Sequence, residues 1–455
     1  MELLSFKTPE IAHFAYLLSD GHNAALIDPR RDTQEYLKAA RERGVQIRYI
    51  FETHRQEDFV MGSTFLAQQT GAQIVNGTHE LFGHGDLRLE DGEHVTLGSL
   101  KLRALHTPGH TPESMCYAIY ESEGNKPAWG VFTGDTLFFG TTGRTDLTDQ
   151  NKSVENAAIL YDSVHSKLSG LGDTALILPA HGPGSVCGSG MASRPSSTLG
   201  VEKKENDVFT LSRQEFANKK GSEQLSRPPF FRHMEKVNLE GGIAPVNSTG
   251  TIQIVDVDTI REKNKETLVY DTREPEAYAG GHVSDSYSIW LGGLPVFGGW
   301  VADKNSEIYL ITDRESDIDT AVTYLSRIGI DNVKGALAGG FGNWRKSGAP
   351  ISTSGTISAQ ELKDDPLSFQ ILDVREKDEF IKGHIPGSEN IFVGHLLHKL
   401  DELDFDKSRP VIVTCGVGHR AGLGVSILRR GGYKDVRNLL GGMSAWNQLN
   451  LATIQ

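Results

Sequence analysis

The second half of this 455-residue chain repeats itself. The segment VYDTREPEAYAGGHVSDSYSI (269–289) is echoed by ILDVREKDEFIKGHIPGSENI (371–391). The pairs Asp271/Asp373, Arg273/Arg375, His282/His384, Gly340/Gly442 and Trp344/Trp446 are each separated by 102 residues. A constant offset across five landmarks means two copies of one fold. In each copy, short strand-like runs alternate with helical stretches, which predicts a doubly wound α/β domain. A chain of this length also exceeds a single core, so about three domains are expected. The boundaries fall at 1–235, 236–350 and 351–455. RPPFFRHMEKVNLEG (227–241) reads as the connector into the repeat, with PPFF packing on the first domain, and SGAPISTSG (347–355) reads as the linker between copies.

The first half is organised by strands that end in polar residues. VQIRYIFETH runs straight into THRQEDF (53–59), which has the form of a dinuclear metal box, HxHxDH, stripped of two ligands. His54 and Asp58 are kept, while Gln56 and Phe59 stand where the second and third histidines belong. A phenylalanine ligates nothing. Further on, the strand from Ser99 to Leu105 delivers HTPGHTPES with His110, WGVFTGDTLF delivers Asp135, and ALILPAHG delivers His181. Rigid strand ends suit side chains that must converge on one ion. The set His54, His110 and Asp135 has two imidazoles and one carboxylate, the composition that holds Fe(II) with open positions for oxygen and substrate.

Charge and cysteine usage narrow the function classes. A net charge of -13 argues against nucleic acid and membrane surfaces as partners. No apolar run approaches the ~20 residues of a membrane span. The N-terminus carries Glu2 and lacks a basic stretch before its apolar residues, so it does not read as a secretory signal. Three widely spaced cysteines, Cys116, Cys187 and Cys415, make no disulfide framework and fit a reducing, cytoplasmic setting. Cys116 lies between Met115 and Tyr117 in an apolar strand and is expected in the core. Cys187 lies in the Gly/Ser-rich HGPGSVCGSGM.

Cys415 opens CGVGHR (415–420), between the strand VIVT and a helix beginning near Ala421. A short loop made of Gly416, Val417, Gly418 and His419 can wrap backbone N–H groups around a sulfur. Those donors, the helix N-terminus and Arg420 would stabilise a thiolate or a persulfide anion. The loop is too small for a phosphate, so sulfur transfer through Cys415 is expected, with Arg420 binding an anion such as thiosulfate or sulfite. Subtracting 102 from Cys415 gives Asp313, so the first copy is expected to be catalytically inert.

Taken in order, THRQEDF, TPGHTPES, TGDTLF and PAHG resemble the metallo-β-lactamase fold, an αββα sandwich, over about the first 230 residues. GRTDL (143–147) makes the persulfide dioxygenase branch of that fold the nearer match. That resemblance implies one Fe(II) per chain on His54, His110 and Asp135, with Asp58 hydrogen bonded behind the ligands. It also implies that Arg144 and Asp146 orient the substrate or the surrounding loop, and that His181 stays uncoordinated near the substrate. Cys187, on a flexible loop at the iron mouth, would carry or resolve a persulfide. Downstream, LDVRE with GHIPGS, then VIVTCGVGHRAG, then LLGGMSAW resemble the rhodanese sulfurtransferases. The expected architecture is therefore an α/β multidomain chain, with an N-terminal metallo-β-lactamase sandwich followed by two rhodanese-like domains.

The implied function is oxidation of a low-molecular-weight thiol persulfide by O2 to sulfite, coupled to sulfur transfer that makes or uses thiosulfate. A homo-oligomer is expected. Two rivals stand beside this reading. One is a dinuclear zinc thioester hydrolase of the glyoxalase II type, which needs the histidines that Gln56 and Phe59 replace. The other is a non-enzymatic sulfur carrier.

Overall fold

The computed structural model describes residues 1–121, 127–223, 225–245, 252–263 and 267–454. Contacts divide the chain into two compact units, one of 1–227 with 231–245 and one of 228–230 with 246–455. The first unit therefore runs ten residues beyond the expected 235. Phe231–Leu239 is a helix of that unit, and Arg31 is anchored on the carbonyl of Ala244. The connector is thus split. Pro228–Phe230 belong with the second unit, where Phe230 stacks close against Gly299, rather than with the first as PPFF suggested.

Two six-stranded sheets build the first unit. In one, Glu2–Thr8, His13–Asp20, Asn23–Ile27, Gln46–Phe51, Gln73–Gly77 and Leu87–Leu89 lie side by side in chain order. In the other the spatial order is Ser197–Thr198, Leu176–Pro179, Gly130–Gly134, Met115–Tyr120, Leu100–His106 and His94–Leu97. Alternate residues face inward from both sheets, so Leu18, Ile27, Phe51 and Val75 meet Leu102, Ala104, Tyr117 and Phe132 in a shared core. The outer face of the first sheet packs on the helix Gln34–Arg43, through Tyr36, Ala39 and Ala40. The outer face of the second packs on helices Ser153–Ser163 and Arg213–Gly221, through Ala157, Leu160 and Phe216. The result is the αββα sandwich. The turns carrying His54, His110, Asp135 and His181 follow the strands Gln46–Phe51, Leu100–His106, Gly130–Gly134 and Leu176–Pro179.

The second unit holds two five-stranded parallel sheets of one design. The first has spatial order Gln253–Val255, Val333–Leu337, Ile308–Ile311, Leu268–Asp271, Tyr287–Ser288. The second runs Gly355–Ser358, Val436–Leu440, Val411–Thr414, Gln370–Asp373, Ser388–Asn390. The repeated residues explain why the two match. Arg273 grips Asp271 at 2.8 and 2.6 Å and the carbonyl of Gly281 at 2.8 Å. Arg375 does the same to Asp373 at 3.0 and 2.6 Å and to Gly383 at 2.8 Å. His282 stacks on Tyr278, and His384 on Phe380.

The offset is not constant through the sheet. Asp271 is in register with Ile311, and Asp373 with Thr414, a separation of 103 residues in the central strand. A methyl group added to Gly340 would strike the carbonyl of Thr312, and one added to Gly442 would strike that of Cys415. Thr312, not Asp313, therefore occupies the position of Cys415, and Asp313 matches Gly416. The expectation of an inert first copy now refers to Thr312, which like Asp313 carries no thiol.

Among the described residues no helix is long and apolar enough to cross a membrane.

Candidate functional site

THRQEDF is a tight turn, buried except for the half-buried Arg55, whose shape is set from outside as much as from within. Asp28 receives the Thr53 N–H and hydroxyl, both at 2.8 Å. The amide of Asn238 donates to the carbonyls of Gln56 and Phe59 at 2.7 and 2.8 Å, and its oxygen accepts from Met61 N at 2.9 Å. Asn238 thus clamps the turn from a helix about 180 positions downstream. No local pattern pointed to it.

Each expected ligand is oriented by a second group. His54 Nδ1 lies 3.0 Å from Thr53 Oγ1, so Nε2 faces inward. His110 Nδ1 donates to the carbonyl of Arg144 at 2.8 Å, and its Nε2 also faces inward. His181 Nδ1 bonds Asp135 Oδ1 at 2.8 Å, which leaves Asp135 Oδ2 at 3.5 Å from His110 Nε2 and 3.9 Å from His54 Nε2. Burial would raise the Asp135 carboxyl, but the His181, His54 and His110 rings outweigh it and hold Asp135 well below the usual carboxylate range. Burial pushes His54 down, toward the neutral imidazole that a ligand must be. For His110, Glu57 and Asp135 outweigh burial and push it up.

The donor atoms fit a metal ion. His54 Nε2, His110 Nε2 and Asp135 Oδ2 are buried without a hydrogen-bond partner, and so are both oxygens of Glu57. Glu57 Oε2 lies 3.7 Å from each imidazole nitrogen, beyond hydrogen-bond range but well placed to share a cation with them. Sequence reasoning passed over Glu57, because it occupies a variable position of the box.

The remaining expected residues separate into supports and neighbours. Asp58 and His181 lie 3.0 Å apart behind Asp135, and with Cys187 they form a second tight polar cluster. Burial opposes a charge on His181, yet Asp135 and Asp58 overcome it and hold the ring well above its ordinary value. Phe59, fully buried, fills the space of a third histidine and packs on His13 with ring centroids 4.3 Å apart. Arg144 spends its side chain on the loop, bidentate to Asp146 at 2.6 and 2.7 Å and bonded to the carbonyls of Val186, Leu225 and Ser226. Its own carbonyl fixes His110, so Arg144 acts on the site through that ring. A side chain on Gly143 would collide with the Asp135 carbonyl and the His110 ring.

Cys187 departs from expectation. Its thiol is fully buried rather than displayed at a mobile mouth. Burial, together with Asp58 and Asp135, pushes it well above an ordinary thiol, which disfavours the thiolate that a persulfide carrier requires. Cys116 sits in the core, where burial pushes its thiol up to about 11.

In the second unit, Cys415 lies at the N-terminal end of the helix His419–Arg430. Gly418 N–H donates to its Sγ at 3.1 Å. Gly418 has φ of +112°, a conformation that favours glycine, and Asn438 holds its carbonyl at 3.0 Å. Arg420 is bidentate to Glu379 at 2.6 and 2.8 Å, and its Nη2 would lie 3.5 Å from a side chain added at Gly416, so the paired guanidinium borders the Cys415 loop. His419 stacks on Trp290 at 4.9 Å and lies 3.1 Å from Glu274, both residues of the first rhodanese-like copy. Val417 is exposed at the rim.

Comparison with known proteins agrees with this geometry. The metallo-beta-lactamase superfamily model matches residues 8–181, and the rhodanese-like domain model matches 255–347 and 358–449. The human mitochondrial persulfide dioxygenase ETHE1 is 31% identical over 240 residues, 52% of this chain and 86% of that protein. The first unit belongs to the ETHE1 persulfide dioxygenase family of the metallo-beta-lactamase superfamily. Two rhodanese-like domains follow this ETHE1-like unit. A crystal structure of a metallo-beta-lactamase from Staphylococcus aureus subsp. aureus COL is similar with a TM-score of 0.64 and 30% identity, covering 74% of this chain and 98% of that one. A hydroxyacylglutathione hydrolase from Anaeromyxobacter dehalogenans is 37% identical over 139 residues, 29% of this chain and 48% of that one.

Proposed function

We propose that this chain is an iron-dependent persulfide dioxygenase whose C-terminal domain transfers sulfane sulfur through Cys415. One observation carries the first half of this reading. His54 Nε2, His110 Nε2 and Asp135 Oδ2 are buried donor atoms without hydrogen-bond partners, Asp135 Oδ2 lying 3.5 and 3.9 Å from the two nitrogens, and Phe59 stands where the third histidine of a two-metal box would be. Ferrous iron held there would supply the one-electron chemistry by which dioxygen reacts with a sulfur substrate.

The chain's own residues do the rest. Beside this turn lies a cavity of about 490 Å³ whose lining includes Glu57, Arg55, Thr111, Arg227, Arg232 and Glu235. Arg232 at the wall would favour a thiol that carries an anionic group, whereas Arg227 is paired with Glu235 and Arg55 lies toward Glu113. His181 keeps Asp135 ionised and turned inward, Arg144 keeps His110 in place, and the packed Phe59 and His13 rings shut out water on one side. The balanced reaction takes a thiol persulfide, O2 and water to the free thiol, sulfite and two protons. In the second step the Cys415 thiolate takes the outer sulfur of thiosulfate and releases sulfite, or the Cys415 persulfide gives its sulfur to sulfite and makes thiosulfate. The Gly418 N–H pointing at Sγ supports the anionic sulfur in either direction.

The test is metal content after anaerobic purification, followed by oxygen uptake on a panel of thiol persulfides. One iron per chain and uptake with at least one persulfide are expected. His110→Ala is expected to abolish uptake and leave thiosulfate sulfurtransferase activity intact. Two zinc ions per chain with thioester cleavage would overturn the reading in favour of a hydrolase. Oxygen uptake that persists in His110→Ala after the metal is lost would also sink it.

A further inference from the structure

Glu57 lies in the middle of the damaged box, three residues after His54, and its side chain is about 1% exposed. Neither carboxylate oxygen has a hydrogen-bond partner. The nearest cationic side chain in sequence, Arg55, lies toward Glu113 instead, with Nε at 4.0 Å and its backbone N–H on the same oxygen. The His54 and His110 rings come no closer than 3.7 Å, and a carboxylate buried without hydrogen bonds is costly to a protein.

What faces Glu57 explains its position. Thr53 gives its one hydroxyl hydrogen to Asp28, so Thr53 Oγ1 is an acceptor for a hydrogen on His54 Nδ1 at 3.0 Å, with the Gln56 side-chain amide 3.5 Å from the same nitrogen. His110 Nδ1 gives its hydrogen to the Arg144 carbonyl. In the neutral rings both Nε2 atoms therefore present bare lone pairs. Each Nε2 lies 3.7 Å from Glu57 Oε2, and Asp135 Oδ2 lies 3.5 Å from that of His110 and 3.9 Å from that of His54, while the ligand atoms of His54, Glu57 and His110 all lie within 4.8 Å of one another. Four ligands held at about 2.1 Å from one ion lie roughly 3.4 Å apart in a tetrahedron. The four imidazole–carboxylate separations are longer than hydrogen bonds and suit groups that share a cation.

We propose that Glu57 is a fourth protein ligand of the metal centre, which is then built of two imidazoles and two carboxylates. The proposal rests on the metal reading above. The same turn that lost its second and third histidines at Gln56 and Phe59 supplies a carboxylate between them. Two carboxylates neutralise a divalent ion in a buried site. Glu57 also lines the cavity to which the proposed function assigns the substrate.

The test uses the full chain stripped of metal and titrated anaerobically with Co(II), whose visible bands report coordination number, beside Fe(II) binding by competition with a chelator. Wild type is expected to bind one ion, and His110→Ala to lose it. Glu57→Gln is expected to weaken Co(II) and Fe(II) binding at least about 10-fold and to change the visible spectrum. Before metal is added, Glu57→Gln is expected to melt at a temperature no lower than wild type, and its melting shift on loading to be smaller. In Glu57→Ala, added acetate is expected to restore the wild-type spectrum, a rescue that a mere packing role would not show.

The failures are distinguishable. Absence of His110-dependent metal binding in wild type defeats the metal reading itself. One His110-dependent ion, with affinity within twofold and an unchanged spectrum in Glu57→Gln, overturns the role of Glu57 alone. A Glu57→Gln chain that does not fold passes the decision to Glu57→Ala, where an acetate-insensitive, wild-type spectrum overturns the proposal.

Discussion

In the first rhodanese-like copy the strand Ile308–Ile311 runs into Thr312, Asp313, Arg314 and Glu315; in the second, Val411–Thr414 runs into Cys415, Gly416, Val417 and Gly418. Everything beneath the two loops is shared. The buried Asp–Arg pair, the ring stacked on each histidine and the indole bonded to a carbonyl six residues on recur in both. The frame persists because its groups are buried and paired, and changing any one leaves an orphan. The loop is free to differ because the fold does not depend on it. Two glycines let the second loop curl so that an N–H meets a sulfur, whereas the first places exposed acidic residues there. The first copy is more than a spacer, since its Trp290 and Glu274 hold His419 beside the Cys415 loop.

The comparison can be broken in graded ways. The largest effect is expected from Cys415→Ser, which removes the sulfur and should cut thiosulfate sulfurtransferase activity at least ~10³-fold. Adding Thr312→Cys to that variant should restore nothing, because Asp313 and Glu315 stand where Gly416 and Gly418 shape the other loop. Recovery of activity by Thr312→Cys would mean that the thiol alone, and not the loop, makes the site.

Next come the shared pairs. Arg273→Met and Arg375→Met each leave a buried aspartate without its partner and are expected to cost about 3–5 kcal/mol. Urea unfolding followed domain by domain measures both. Losses that differ widely between copies would show that the frame is not energetically equivalent.

A smaller effect is a pH dependence in the first copy. Burial, with Arg429 and Arg273 nearby, pushes His282 down to about 4. In the unfolded chain the ring titrates near 6.5. Between those values the unfolded state takes up a proton that the folded state refuses, so stability present above pH 6.5 is lost as pH falls toward 4. The slope reaches at most about 1.4 kcal/mol per pH unit. His282→Phe keeps a ring against Tyr278 and removes the titration. A urea midpoint as steeply pH dependent in that variant as in wild type would exclude His282 as the cause. The smallest effect is expected from Trp290→Ala, which removes the stacked ring under His419. A loss of about 0.5–1.5 kcal/mol, roughly 2- to 10-fold, is expected in kcat/KM for sulfur transfer, with the metal centre untouched.

The residues legible in sequence were those whose chemistry is local. His54, His110, Asp135 and His181 each follow a strand directly, and the strand fixes where the next turn points. Cys415 announces itself by a strand, two glycines and a helix within a dozen residues. The repeat was legible because buried pairs and ring stacks recur at nearly constant spacing. By contrast, the partner of Cys415 was displaced by one residue, because the offset slips from 102 to 103 between neighbouring strands. Only hydrogen-bond register sees such a slip.

Glu57, Asn238, Glu379 and Trp290 were decided by tertiary structure alone. Asn238 reaches the metal turn from a distant helix, Glu379 takes the charge of Arg420 from across the domain, and Trp290 comes from the other copy. Cys187 looked exposed in a Gly/Ser-rich loop, yet the closed sandwich buries it. Burial and pairing depend on which surfaces meet when the sheets close, and that is a property of the whole chain. So the sequence by itself determined the fold of each domain and the residue types at its reactive points. The tertiary structure decided which of their charges remain unspent, and at THRQEDF this leaves the carboxylate of Glu57 3.7 Å from the Nε2 atoms of His54 and His110.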